Sequence, residues 1–195
     1  MMLLTMGSCK DMESKSNENK GTVNAAIENM MARKSVRAYT AKPVEKEKVE
    51  LLLKVAMAAP TAVNKQPWAF IAINDRAVLD QLADGLPYAK MTAQAPLAIV
   101  VCGDLSKALN GEQDKYWMLD CSTASQNLLL AAESLGLGAV WTAVYPEEDR
   151  MATVRKILGL PEYIVPLNLI PIGYPQHKES AKDKFKTENI HYNKW

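Results

Sequence analysis

The chain has 195 residues, 48% hydrophobic and 23% charged; a single domain of this length buries roughly 70% of its unfolded surface and needs no disulfide or metal to support a core. Lys and Arg number 23 against 22 Asp and Glu, a net charge of +1, so no basic field calls for nucleic acid. Three scattered cysteines without a C-x-x-C, and two histidines confined to the C-terminal region, argue against a metal centre and a Ser-His-Asp triad.

Residues 1–20 differ in texture from the rest. "MMLLTMGSC" is apolar and ends at Cys9 in a "GSC" that looks like a bacterial lipoprotein cleavage box, and "KDMESKSNENK" is polar and poor in anything that packs. The apolar part is shorter than the ~7–15 residues of a signal core and lacks a basic start. Two readings stay open: a truncated signal with Cys9 as lipid anchor, giving a membrane-anchored lipoprotein, or a disordered leader on a cytoplasmic protein. The uncharged run further on from Cys121 to Ala132 contains Ser, Gln and Asn and does not read as a membrane span.

One folded domain is expected over residues 21–195. Thr22 can cap a helix to about Arg33 with Val23, Ile27, Met30 and Met31 on one face. After "KSVRAYT", Pro43 suits a first helical turn, and Val44, Val49, Leu52, Leu53 and Ala56 form a stripe. "WAFIAI" predicts a strand stopped at Asn74-Asp75, and "RAVLDQLADG" a short helix closed by Gly85. "LAIVVCG" is an unbroken apolar strand, so both its faces should be covered. The helix from about Lys115 to Leu135 is apolar almost all round, as in a core or against a second subunit, and "GLG" halts it. "AVWTAVY" predicts a strand, "EEDRMATVRKILG" a helix with acids first and bases last, and "VPLNLIPIGY" the last strand. The final residues form a basic, irregular tail. Cys102 and Cys121 fall in apolar runs as buried small hydrophobes. Irregular alternation of helices and strands around a long helix fits an α+β sandwich.

Two regions can carry chemistry. Arg33, Lys34, Ser35 and Arg37 end the first helix, and Lys182, Lys184 and Lys186 recur at a spacing of two in the tail. Bases from such distant segments can converge on one phosphate, each charge-assisted bond contributing roughly 1.5–3 kcal/mol; taken singly, each also fits solvated surface charge. The corner "AAPTAVNKQPWAF" places Thr61 and Asn64 between Pro60 and Pro67, groups suited to the polar edge of a heterocycle or to capping their own turn. "GLGAVWT" is no dinucleotide fingerprint, because it follows a helix, precedes a strand and lacks the third glycine.

Taken together, "RKSVRAYTAKPV", "AAPTAVNKQPWAF", "SQNLLLAAESLGLGAVWTAVYP", "PIGYP" and "KDKFKTENIHYNKW" resemble, in that order, the nitroreductase family of FMN-dependent oxidoreductases. The resemblance covers about residues 22 to 195. It implies a three-layer sandwich with a central, mixed but mostly antiparallel sheet, and a domain-exchanged homodimer with two FMN sites between subunits. By that resemblance Arg33, Lys182 and Lys184 would hold the FMN phosphate, with Lys34 beside them. Ser35 and Arg37 would meet the pyrimidine end of the flavin, Arg37 tuning it by charge. Pro60, Thr61, Ala62 and Asn64 would come from the other subunit, and Trp141, Thr142 and Ala143 would line the ring through backbone groups. Two departures bear on this: Ala143 stands where the family commonly has glycine, and Asp183 lies between the two tail lysines, which makes Lys182 the weaker assignment.

The implied activity is hydride transfer from NAD(P)H to a small-molecule electron acceptor, nitroaromatic or quinone, by a ping-pong scheme without a protein nucleophile or acid–base group. Alternatives are a flavin-dependent dehalogenase or dehydrogenase of one metabolite on the same fold, or a non-catalytic surface-anchored binding protein. The short segment 110–117 favours neither enzyme alternative.

Overall fold

The computed structural model of the chain describes residues 24–109 and 115–195. The leader with Cys9, and the helix start placed at Thr22 and Val23, lie outside the described residues. In chain order these form α1 (Ala25–Ala32), α2 (Lys46–Ala56), β1 (Trp68–Ile73), α3 (Arg76–Gly85), β2 (Leu97–Asp104), α4 (Tyr116–Ser134), β3 (Gly138–Ala139), β4 (Thr142–Ala143), α5 (Glu148–Leu158) and β5 (Ile164–Gly173).

β1, β2 and β5 lie side by side, each antiparallel to its neighbour, and β3 and β4 both pair with the other edge of β5. A parallel bridge between Ser35 and Ala139 makes the arrangement mixed. Every residue of β2 is buried, as its unbroken apolar run predicts, because helices cover both faces. Ile99 and Val101 pack with Leu52 and Ala56 of α2 and with Leu128 and Ala132 of α4. The alternate residues Ala98, Val100 and Cys102 pack with Leu79 and Leu82 of α3 and Val154 of α5. The result is three layers, helices on either side of one sheet. Leu52, Ile99, Leu128 and Ile170 are 0% exposed, and each such side chain contributes roughly 1.5–3 kcal/mol of transfer free energy.

Five local expectations are corrected. Asn24 caps α1, its Oδ1 accepting from Ala26 N–H at 2.8 Å. The face carrying Ile27, Met30 and Met31 is exposed, because α1 rests on α4 partly through Asn29, whose Nδ2 donates to Leu130 O. Pro43 precedes α2, whose N-cap is Glu45. Gly85 is the last residue of α3, with no left-handed turn; a Cβ there would lie 2.7 Å from Thr153 Cγ2, so its smallness admits α5. The strand read as "AVWTAVY" divides into β3 and β4 around Val140 and Trp141.

α4 stops as a glycine-terminated helix should. Gly136 adopts φ 70°, Leu137 N–H donates to Ala132 O and Gly136 N–H to Glu133 O. The turn delivers the chain directly into β3. Among the described residues no helix is long and apolar enough to cross a membrane.

Candidate functional site

The site begins where α1 ends. Arg33 leaves the helix with φ −58° and ψ 132°, so residues 33–39 run extended along the sheet edge. Ser35 bridges Ala139, and Val36 N–H donates to Ala139 O at 3.0 Å. The approach is close: a Cβ on Gly138 would lie 2.6 Å from Val36 Cβ. Tyr39 anchors the segment, its buried hydroxyl donating to Val36 O at 2.6 Å with Pro171 O at 3.1 Å. Burial raises the Tyr39 phenol well above its ordinary acidity range, so it stays a donor.

The same segment guides the tail. Thr40 N–H donates to Tyr174 O at 2.8 Å and Gln176 N–H to Ala38 O at 3.0 Å. The chain leaving β5 therefore runs back beside the chain leaving α1. A cleft of about 430 Å³ results, walled by Arg33, Lys34, Ser35 and Arg37 on one side and Glu179, Ser180, Lys182 and Lys184 on the other. Sequence-distant bases thus meet. Within it, Lys34 is already engaged: its Nζ lies 2.7 Å from Glu133 Oε1. Asp183 is turned to its own backbone, its Oδ1 accepting from Phe185 N–H. The acid in the cleft wall is Glu179 instead, which sequence reasoning passed over along with Ser180; their only sequence signal was membership of the same tail.

A second cleft, of about 410 Å³, adjoins the first at Arg37 and includes Val140, Trp141, Thr142 and Ala143 in its wall. Thr142 is buried and its hydroxyl donates to Leu169 O at 2.5 Å, so its side chain is committed to β5. Trp141 is half-buried and Ala143 exposed. The rest of its wall is Pro87, Tyr88, Lys90, Met91 and Arg150 with Arg37, and of these the sequence singled out Arg37 alone. The Arg150 guanidinium donates from Nη1 to Ala143 O at 3.3 Å and lies 5.2 Å from the centre of the Tyr88 ring.

The Pro60–Asn64 corner contributes to neither cleft wall. It caps itself, with Thr61 Oγ1 accepting from Gln66 N–H and Asn64 Oδ1 from Gln66 Nε2. It is also tied to α4: Asp120 Oδ1 accepts Ala62 N–H at 2.9 Å, and the Thr123 hydroxyl reaches Pro60 O at 3.3 Å. Val63, Asn64 and Gln66 have φ of 41°, 56° and 50°. For a β-branched residue such as Val63 this conformation is costly, on the order of 1–3 kcal/mol, and persists only where its surroundings impose it.

Comparison with known proteins places these features in context. The model of the nitroreductase family matches residues 30–174. A Methanothermobacter thermautotrophicus protein provisionally named NADH dehydrogenase/NAD(P)H nitroreductase is 43% identical over 170 residues, covering 87% of each chain. A crystal structure from Bacteroides thetaiotaomicron bearing the same provisional name is 55% identical, with a TM-score of 0.85 over 89% of this chain and all of the other. The NADPH:FMN oxidoreductase of Vibrio harveyi, solved with NAD+, is 26% identical with a TM-score of 0.80, covering 88% of this chain and 78% of that one.

Proposed function

This chain belongs to the nitroreductase family, and from that membership we infer that it is an FMN-dependent oxidoreductase using NAD(P)H. The observation that carries the reading is the meeting of two clefts at Arg37, one walled by Arg33, Lys182 and Lys184, the other by Trp141–Ala143. A phosphate at one end and a flat ring at the other suit this shape, and each volume falls within the roughly 300–1,000 Å³ of small-ligand sites.

Arg33, Lys182 and Lys184 would hold the phosphate through charge-assisted hydrogen bonds. Lys34, paired with Glu133, would add field more than contact. Ser35 and Arg37 would meet the pyrimidine end, where the guanidinium supplies positive charge. Trp141, Thr142 and Ala143 would wall the ring with backbone, since the Thr142 hydroxyl is occupied. The self-capped corner Pro60, Thr61, Ala62 and Asn64 lies outside its own chain's clefts, so the corner of a second copy would close the site, making the working unit a homodimer. The exposed apolar face of α1, with Met30 and Met31 at 56% and 71% exposure, supports such pairing.

Bound FMN would supply hydride transfer between NAD(P)H and an electron-poor acceptor such as a nitroaromatic or quinone, the two using the same place in turn in a ping-pong exchange. The protein's part is to bind, orient and exclude water.

The experiment is an absorption spectrum of the purified protein with added FMN, then bleaching by NADH and by NADPH without oxygen. We expect a bound yellow chromophore that either nicotinamide bleaches, and Arg37→Ala that keeps FMN but reduces it more slowly. A colourless protein that rejects FMN would overturn the reading and favour a binding role; normal reduction by Arg37→Ala would remove that residue's part alone.

A further inference from the structure

The second cleft carries more positive charge than a flavin ring calls for. Arg37, Lys90 and Arg150 all stand in its wall, and no acidic side chain is among its lining residues. Arg37 is accounted for above; Lys90 and Arg150 are not. Arg150 is half-buried and held by its hydrogen bond to Ala143 O, 3.3 Å, so its charge is fixed in place. It stands over the Tyr88 ring at 5.2 Å, and Tyr88 is 71% exposed. The pair offers a flat aromatic face beside a fixed cation. Lys90 Nζ donates to Asp84 O at 3.4 Å and lies 3.8 Å from the Asp84 carboxylate, between side chains 66% and 88% exposed; contacts so long and solvated hold the ammonium weakly and let it turn to a ligand. Beyond Arg150 an adjoining cleft carries Glu147, Glu148 and Asp149. Those acids would repel an anion on that side and confine it to the side of Tyr88 and Lys90.

We propose that Tyr88, Lys90 and Arg150 form a subsite for the anionic group of the incoming redox partner. The ligand class is a flat ring bearing a carboxylate, sulfonate or phosphate set apart from its reacting atom. The proposal rests on the flavin reading of the same cleft and adds what that reading leaves open, the charge of the molecule that enters. Two partners share this chemistry: a nicotinamide dinucleotide through its phosphates, and an aromatic acceptor bearing an acid.

The test is equilibrium dialysis of the oxidised, FMN-loaded protein against three probes: NAD+, 4-nitrobenzoate and uncharged nitrobenzene. Wild type, Lys90→Gln, Arg150→Gln and Arg150→Lys are compared at low and high salt. In each glutamine variant the dissociation constant of the anion that uses the subsite rises about tenfold. Its salt dependence flattens, and Arg150→Lys recovers part of the loss. A response of NAD+ alone identifies the dinucleotide as the occupant; a fall in the preference for 4-nitrobenzoate over nitrobenzene identifies an acidic acceptor. Anion affinities that do not change, or that change in step with nitrobenzene, overturn the proposal. The two readings fail separately. Wild type that takes up no FMN yet binds anions in a Lys90- and Arg150-dependent way ends the flavin reading. FMN-loaded wild type whose ligand affinities ignore these charges ends the subsite.

Discussion

The carboxylate of Asp120, in the first turns of α4, accepts the backbone N–H of Ala62 at 2.9 Å, across 58 residues of sequence. Asp120 is only 6% exposed, and the bond is charge-assisted at the base of a corner holding three non-glycine residues at positive φ. A fixed anion at Ala62 helps impose that strained path. Asp120→Ala leaves the Ala62 N–H without its partner and should cost about 1–3 kcal/mol. Urea denaturation reads the loss, and a dissociation constant for FMN measured by flavin fluorescence should rise with it. An unchanged unfolding midpoint would mean the corner holds its shape without Asp120.

Gly138 has no room for a side chain. A Cβ would sit 2.6 Å from both Val36 Cβ and Cγ1, on the extended segment that carries Ser35 and Arg37. Gly138→Ala should push residues 33–37 off the sheet edge, costing about 1–3 kcal/mol as an overpacked core position does. FMN affinity should fall more than tenfold, because Ser35 and Arg37 move together. Retained affinity in a destabilised variant would show that the segment keeps its path.

The two adjacent basic residues that end α1 should behave differently. Arg33 lines the cleft and makes no salt bridge among the described residues, whereas the Lys34 ammonium is 2.7 Å from Glu133, the side chains 21% and 17% exposed. Arg33→Gln should weaken FMN binding by about tenfold or more while leaving thermal stability close to wild type. Lys34→Gln should do the reverse, leaving Glu133 half-buried and unpaired at a cost of about 1–3 kcal/mol. Paired titrations and melting curves of the two variants settle the division; equal effects on FMN contradict it.

Cys102 and Cys121 set an alkaline limit. Burial pushes the Cys102 thiol from 9.0 up to about 12, and burial raises Cys121 as well. Both folded values lie above the unfolded ones, so the stability linked to them is present below about pH 9 and lost as pH climbs towards 12. In a Cys9→Ser background, a thiol reagent at pH 8 should label neither residue until urea unfolds the chain, and the urea midpoint should fall steadily above pH 9. Prompt labelling of the native protein would place a thiol at the surface.

Much of the scaffold is legible in the chain. β1 coincides with "WAFIAI", because a short apolar run flanked by Pro67 and Asn74-Asp75 has no other regular structure open to it. The full burial of β2 and the stop of α4 at Gly136 are likewise written locally, in hydrophobic run length and in the one residue that adopts φ 70° without strain. The break at Val140–Trp141 is not: "AVWTAVY" looks continuous, and only the pairing of β3 and β4 along β5 divides it.

What the sequence determined by itself was most of the elements, the division of β3 from β4 excepted, and, through five ordered motifs, the family to which the groups belong. What tertiary structure decided was which groups share a wall. Arg33 meets Lys182 because Tyr39 pairs with Pro175 and folds the tail back, Lys34 turns aside because Glu133 lies within reach, and Arg150 stands over Tyr88 because α5 packs beside α3. Periodicity and turn chemistry act between neighbours a few residues apart. Convergence of charge depends on pairings between distant segments, and no local pattern encodes those.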